Sequence, residues 1–272
     1  MRQWKKDNVT TIDVGSHTEF FYIIEDVLID KYSKMWYNYN CNVLNSLNIN
    51  KERRYDMMLV IAGTIGVGKS SLAKLLGEHF GTDVFYESVE DNPILPLFYT
   101  ATEEEIQTNR YPFLLQLWFL NTRFKSIKEA LTQDNNVLDR SIYEDWYFAK
   151  VNKDLGRISE LEFKMYEDLL NNMMEEINGM PKKSPDLLIY LRGNFDNIME
   201  RVQKRGREYE LDESLIEYYR TLWEGYDEWV YKHYNASSVL TFNIDNLDYV
   251  NNIKDREIVI KTIESKLKQI RK

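Results

Sequence analysis

Gly63-Thr64-Ile65-Gly66-Val67-Gly68-Lys69-Ser70 is the stretch on which the reading of this chain turns. It fits G-x-x-x-x-G-K-[ST], and each specified position has a physical reason. Glycines let the backbone curl so that several N–H groups face one concavity. The lysine brings a positive charge to β- and γ-phosphates, and the serine hydroxyl can ligate Mg2+. The flanks agree with this. Met57-Met58-Leu59-Val60-Ile61-Ala62 is a short apolar run suited to a buried parallel strand. Ser71 to Phe80 reads as a helix with Leu72, Leu75, Leu76 and Phe80 on one face, and its N-terminus directs a partial positive charge at the same phosphates. The alternative, a chance glycine-rich turn, leaves both flanks unexplained. A nucleoside triphosphate is the ligand implied, with the reaction still open.

Working outward, 272 residues of which 43% are hydrophobic suffice for one α/β domain with a remainder. A net charge of −9 argues against a nucleic-acid surface, which is usually basic. The single cysteine, Cys41, rules out an internal disulfide framework and a paired-cysteine zinc site. No stretch approaches the roughly 18 uninterrupted apolar residues of a membrane span. MRQWKKDNVT opens basic but has no apolar core behind it, so it does not read as a secretory signal. The expectation is a soluble cytoplasmic protein without a nucleic-acid or membrane partner.

After the loop helix, Val84-Phe85-Tyr86 reads as a second strand ending in Glu87. Ligands of open parallel sheets sit beyond the carboxyl ends of the strands, which puts Glu87 in the crevice of the phosphate loop. A solvated carboxylate at a strand end is the other reading. Leu95 to Glu105 reads as irregular. A helix from about Pro112 to Leu131 carries Gln116 and Arg123 close to two turns apart, hence on one face, as part of a pocket or of a solvated stripe. Val137-Leu138 is a third strand ending in Asp139-Arg140-Ser141, and Ile142 to Lys150 continues as a helix with Tyr143, Glu144 and Asp145. Glu160 to Met174 is a helix with an apolar stripe through Leu161, Met165 and Leu169. Leu187 to Leu191 is a fourth strand. Arg201 to Arg207 is a basic helix, either a solvated charge run or a cationic lid over the triphosphate. A long helix over Asp212 to Tyr234, a fifth strand over Val239 to Ile244 and a closing helix over Ile253 to Ile270 complete the pattern. The alternation predicts a five-stranded, doubly wound parallel sheet for residues 56–272.

Residues 1–55 carry no chemical motif. Ser16-His17-Thr18-Glu19 fits a capping box, and Phe20, Ile24, Val27, Leu28, Met35 and Tyr39 follow at near-helical spacing. An N-terminal helical extension is expected. Its aromatic load, Phe21, Tyr22, Tyr32, Trp36 and Tyr37 included, is expected to be buried rather than left as an exposed apolar patch.

Five separated segments, AGTIGVGKSSL (62–72), Glu87 ahead of EDNP, QLWFLNTRFK (116–125), DRSIYEDWYFAK (139–150) and RGREYE (205–210), together resemble the deoxyribonucleoside kinases. The bacterial deoxyadenosine/deoxycytidine kinases are the nearest subgroup. The resemblance covers about residues 57 to 250. It implies ATP-dependent 5′-phosphorylation of a deoxyribonucleoside, deoxyadenosine being favoured over deoxycytidine or deoxyguanosine, with Mg2+ as cofactor and a homodimeric assembly. By the same resemblance Glu87 is the general base, and Arg140 contacts the 5′-oxygen and the transferring phosphoryl. Lys69 completes the catalytic set. Gly63, Thr64, Gly66, Val67, Gly68, Lys69, Ser70 and Ser71 hold the phosphates, joined by the lid arginines Arg201, Arg205 and Arg207. Ser70 and Asp139 hold the metal. Gln116 reads the base edge, Arg123 and Asp145 form a charged pair beside it, and Glu210 and Tyr99 bind the 3′-hydroxyl.

Two other functions share the loop. A nucleoside monophosphate kinase of thymidylate type has the same sheet, but its acceptor brings a negative charge that Glu87 would repel. A phosphate-loop switch needs an N-K-x-D element after a strand. Asn152-Lys153-Asp154 lacks the spacer and falls at a helix end.

Overall fold

The computed structural model describes residues 2–6, 9–13, 57–132, 135–178 and 184–271, and the chain divides into two units, Met1–Arg53 and Arg54–Lys272. In the first unit β1 (Arg2–Lys6) and β2 (Val9–Asp13) form an antiparallel pair with Arg2 opposite Asp13 and Lys6 opposite Val9. The sequence reading assigned no strand there. Its capping box at Ser16 and the helical spacing from Phe20 to Tyr39 lie outside the described residues.

The second unit is built on β3 (Met57–Ala62). Met58, Val60 and Ala62 point into one apolar cluster, and Met57, Leu59 and Ile61 into another on the opposite face. A strand covered on both faces has no polar side to show, which is why its sequence is an unbroken apolar run. Its neighbours are β5 (Asn135–Asp139) and β6 (Leu187–Arg192), with β4 (Asp83–Phe85) and β7 (Ser238–Asn243) at the edges. The order is β4-β5-β3-β6-β7, and all pairings are parallel. α1 (Lys69–Phe80) and α9 (Ile253–Ile270) cover one face through Leu72, Leu76, Val259, Ile263 and Leu267. The other face is packed by α4 (Tyr111–Ala130), α5 (Ile142–Asp154), α6 (Glu160–Asn178) and α8 (Ile216–Glu228). The doubly wound parallel sheet is the one the alternation predicted.

Three segments depart from the sequence reading. Leu95 to Glu105 is not irregular but forms α2 (Leu95–Thr100) and the start of α3 (Glu103–Asn109). Pro96 sits in the first turn of α2, where a missing N–H costs nothing. The Thr102 hydroxyl caps α3, with Glu105 reaching back to it. The long helix over 212–234 is broken into a 3-10 turn at Glu213–Leu215, α8, and a π-helical turn at Trp229–His233. Asp212 accepts from the Ser214 N–H and starts the turn. The basic helix is α7 (Phe195–Arg205), which begins earlier than expected because Asn194 caps it, and ends before Arg207 because Gly206 adopts φ 71°. On α6 the stripe of Leu161, Met165 and Leu169 is present but turned outward. Phe163, Tyr166, Leu170 and Ile177 are the residues that face the core.

Candidate active site

β3 delivers the phosphate loop to the carboxyl edge of the sheet. Gly63 adopts φ 144°, and a Cβ there would lie 2.6 Å from the Leu191 carbonyl oxygen. Gly68, at φ 103°, leaves the same clearance to the Tyr249 hydroxyl, 2.6 Å. Only glycine fits both backbone conformation and space. Val67 is buried and pins the loop to the core, while Ser70 and Ser71 stand at the mouth. Lys69 folds back along the loop, donating from Nζ to the carbonyls of Gly63 (3.0 Å) and Thr64 (2.9 Å). Burial, and then the neighbouring Arg140 charge, lower its pKa to about 8. Ser70 donates from Oγ to Asp139 Oδ2. The other oxygen, Asp139 Oδ1, is buried with no hydrogen-bond partner among the described residues.

Two guanidiniums and three carboxylates lie behind the loop. Glu87, just past β4, accepts from Arg123 Nη2 on Oε1 at 2.9 Å and from Arg140 Nε on Oε2 at 3.1 Å. Arg123, on α4, also lays its Nε across both oxygens of Asp145 on α5, at 2.8 and 3.0 Å. Arg140 follows β5 at φ 76°, its N–H donating to the Ile61 carbonyl at 2.9 Å. Its Nη1 donates to Glu144 Oε1 (3.0 Å) and to the Gly63 carbonyl (3.2 Å). Burial would raise the Glu87 carboxyl, but the charges of Arg140 and Arg123 outweigh it and hold the group at about 2. For Asp145 burial wins over Arg123 and brings it up to about 6. Burial lowers and the facing carboxylates raise both arginines, which end above their ordinary value.

Of these groups Glu87, Arg140 and Asp145 open onto a cleft of about 1030 Å3. Gln116, Phe119, Phe148, Asp145 and Tyr99 are among the residues that line it. Tyr99 stacks on Tyr209 with ring centroids 5.6 Å apart. Glu210 is buried in the same cleft, ion-paired with Arg205 and Arg207 from the end of α7. Arg201 donates to the carbonyls of Val67 (3.4 Å) and Ile244 (3.1 Å), so the basic helix caps the loop from above.

Most residues expected at the site therefore stand around one cleft: Lys69, Ser70, Ser71, Glu87, Tyr99, Gln116, Asp139, Arg140, Asp145 and the lid group Arg201, Arg205, Arg207 and Glu210 all line it. Arg123 stands behind, reaching the site through Glu87 and Asp145. Gly63 and Thr64 contribute carbonyls that hold Lys69. Sequence reading missed three participants. Glu144 was legible only as a helix residue within DRSIYED. Tyr226 reaches the loop from α8 with no sequence proximity to any motif. Residues 244–251, beyond the end of β7, line the cleft beside the loop, with the Tyr249 hydroxyl donating to the Gly68 carbonyl at 3.0 Å. The strand-end rule that placed Glu87 could have found this segment too.

The parallel sheet, the glycine-shaped loop with its lysine, and the facing carboxylate define a phosphate-loop kinase. Comparisons with known proteins narrow the class. A family model described as deoxynucleoside kinase matches residues 59–268. A deoxyguanosine kinase of Lactobacillus johnsonii is 49% identical over 218 residues, 79% of this chain and 94% of that protein. A deoxyadenosine kinase of Lactobacillus acidophilus is 46% identical over 216 residues, 78% of this chain and 97% of that protein. The solved structure of deoxyadenosine kinase from M. mycoides with bound dATP aligns with a TM-score of 0.63 at 28% identity, over 76% of this chain and all (100%) of that one. The chain belongs to the deoxynucleoside kinase family. It is an enzyme that phosphorylates a deoxynucleoside, as the motifs implied.

Proposed function

We propose that the protein transfers the γ-phosphoryl group of ATP to the 5′-hydroxyl of a purine deoxynucleoside, with Glu87 as general base and Arg140 and Lys69 as the cations at the transferring group. The observation that carries this reading is the Glu87 carboxylate, ionised and ion-paired to Arg123 and Arg140 at the edge of the phosphate-loop cleft. Phosphoryl transfer asks the protein for in-line placement and for positive charge around three equatorial oxygens. Lys69, Arg140 and the lid arginines supply that charge. A carboxylate within hydrogen-bond reach of the sugar hydroxyl takes its proton as the bond to phosphorus forms. An uncharged nucleoside tolerates Glu87 beside it, whereas a monophosphate acceptor would meet like charge.

Mg2+ is the cofactor the donor set fits. The Ser70 hydroxyl and the unpartnered Asp139 Oδ1 are hard oxygen ligands at the mouth of the loop. Among the described residues no cluster of three or more ligating side chains forms, so the triphosphate's own oxygens and water would complete the shell. When bound, the ion offsets the charge of the β- and γ-phosphates.

At the acceptor end Gln116 would present its amide to the base edge, and the Arg123–Asp145 pair would lie beside it. Tyr99 and Glu210 would take the 3′-hydroxyl. A homodimer in the cytoplasm completes the proposal. Leu161 and Met165 on α6 are 69% and 59% exposed and Leu169 38%, an apolar stripe that a second copy would cover. Among the described residues no helix is long and apolar enough to cross a membrane. The test is a phosphorylation assay with MgATP across the four deoxynucleosides. Deoxyadenosine or deoxyguanosine should give the highest kcat/KM; thymidine ahead of both would refute the purine assignment.

A further inference from the structure

We propose that Glu144 and Tyr226 are positioning residues that lock Arg140 and the first peptide of the phosphate loop into one reactive arrangement. The inference rests on the roles proposed above for Arg140 and Lys69.

Both side chains are fully buried, each at 0% exposure. Glu144 Oε2 accepts the Ser141 N–H at 3.1 Å, the carboxylate half of a capping box. A cap alone does not call for burial: Thr102 with Glu105, and Ser159 with Glu162, make the same exchange at the surface. What sets Glu144 apart is its second oxygen. Oε1 accepts from Arg140 Nη1 at 3.0 Å and from the Tyr226 hydroxyl.

The Tyr226 oxygen in turn accepts the Gly63 N–H at 2.8 Å. The proton count then has one solution. The Gly63 N–H can only donate, so the phenol proton must lie toward the Glu144 carboxyl oxygen, which also faces the Arg140 guanidinium. Burial and the Glu144 charge keep the phenol protonated across the physiological range. The carbonyl of the same Gly63 residue accepts from Lys69 (3.0 Å) and Arg140 (3.2 Å). Thus Gly63 is held at its N–H by Tyr226 and at its carbonyl by both cations. The Tyr226 ring cannot drift, since it is stacked on Tyr190 at 5.3 Å and flanked edge-on by Tyr147 and Trp229, each at 5.4 Å. α8, distant in sequence from the loop, therefore sets where the loop starts and where the Arg140 guanidinium points.

The test removes one oxygen. Tyr226→Phe should lower kcat on the order of tenfold to a hundredfold, as small misplacements of reacting groups do, with both KM values within about threefold. Tyr147→Phe is the control for loss of a buried hydroxyl. That hydroxyl donates to the Leu222 carbonyl at 2.7 Å and touches neither loop nor arginine, so kcat should stay within about twofold of wild type. Arg140→Lys reports the role of the arginine itself. Combined with Tyr226→Phe it should lose less than the product of the two single losses, because part of the hydroxyl's effect runs through the guanidinium. Should Tyr226→Phe not fold, Glu144→Gln, which keeps shape and cap but not charge, should show the same loss in kcat. Wild-type kcat in Tyr226→Phe, or losses that multiply in the double variant, would overturn the positioning role while leaving the kinase reading intact. Full turnover in Arg140→Lys would instead remove the proposed role of Arg140, and this inference with it.

Discussion

Arg123 and Arg140 between them hold both oxygens of Glu87: Nη2 from α4 donates to Oε1 at 2.9 Å, and Nε from the end of β5 donates to Oε2 at 3.1 Å. Two cations on one carboxylate keep it ionised down to about pH 2. The same two contacts aim the carboxylate, and by stabilising its charge they lower its basicity, so Glu87 takes the hydroxyl proton only as the bond to phosphorus forms.

Glu87→Gln retains size and hydrogen bonding but removes the proton acceptor. Turnover should fall on the order of 10²–10⁴, the range for loss of a general base. Single-turnover phosphorylation measured at saturating substrate checks this, and a rate within a few-fold of wild type would refute the base assignment.

Selectivity should reside in Arg123 and Asp145. Removing one partner strands a buried charge, which commonly costs about 3–5 kcal/mol. The double variant Arg123→Met with Asp145→Ala removes both and should shift preference from purines and deoxycytidine toward thymidine. Glu87 keeps Arg140 in that variant. Competition between labelled deoxynucleosides reads the ranking directly, and an unchanged order would speak against the pair.

Lys69 makes a pH prediction. Its pKa is lowered to about 8 in the free enzyme by burial and Arg140. Above that value the ammonium becomes a neutral amine and no longer attracts triphosphate. Since kcat/KM reports the free enzyme, its value for ATP should fall about tenfold per pH unit above pH 8. A profile flat to about pH 10, the ordinary lysine range, would mean that Lys69 stays charged in the folded protein.

The outward stripe on α6 predicts the assembly. Sedimentation at micromolar concentration should give a dimer, and Met165→Glu, placing a charge at a residue 59% exposed in the single chain, should give a monomer that melts within a few degrees of the wild-type subunit. Wild type sedimenting as a monomer would leave the stripe unexplained.

The parallel sheet was legible because its central strands carry their own signal: β3 is apolar throughout, and β6 is an apolar run closed by Arg192. The loop was legible because its chemistry is local, with eight adjacent residues performing one task. Glu87, Asp139 and Arg140 could be placed since a strand end is where a sheet presents groups to a ligand. Tyr226 could not, because its partners Gly63 and Glu144 are distant in sequence and nothing within α8 distinguishes it from Tyr218 or Tyr219. The break at Asp212 and the π-helical turn at Trp229–His233 were hidden for a similar reason. Helical spacing of Tyr and Trp runs from Tyr218 through the π-helical turn without a mark, and tertiary packing decides where the hydrogen-bond pattern changes.

The backbone of Arg140 lies at φ 76°, a conformation that favours glycine and asparagine. Its side chain must reach Glu87, Glu144 and Gly63 at once, which takes a forked cation. No amino acid other than arginine meets the second demand, and none that suits the first carries a forked cation. Glycine would relax the main chain and abolish the fork; lysine would keep a charge and still strain the main chain. For protein engineering this is a position with no gentle replacement, where every substitution explores a loss.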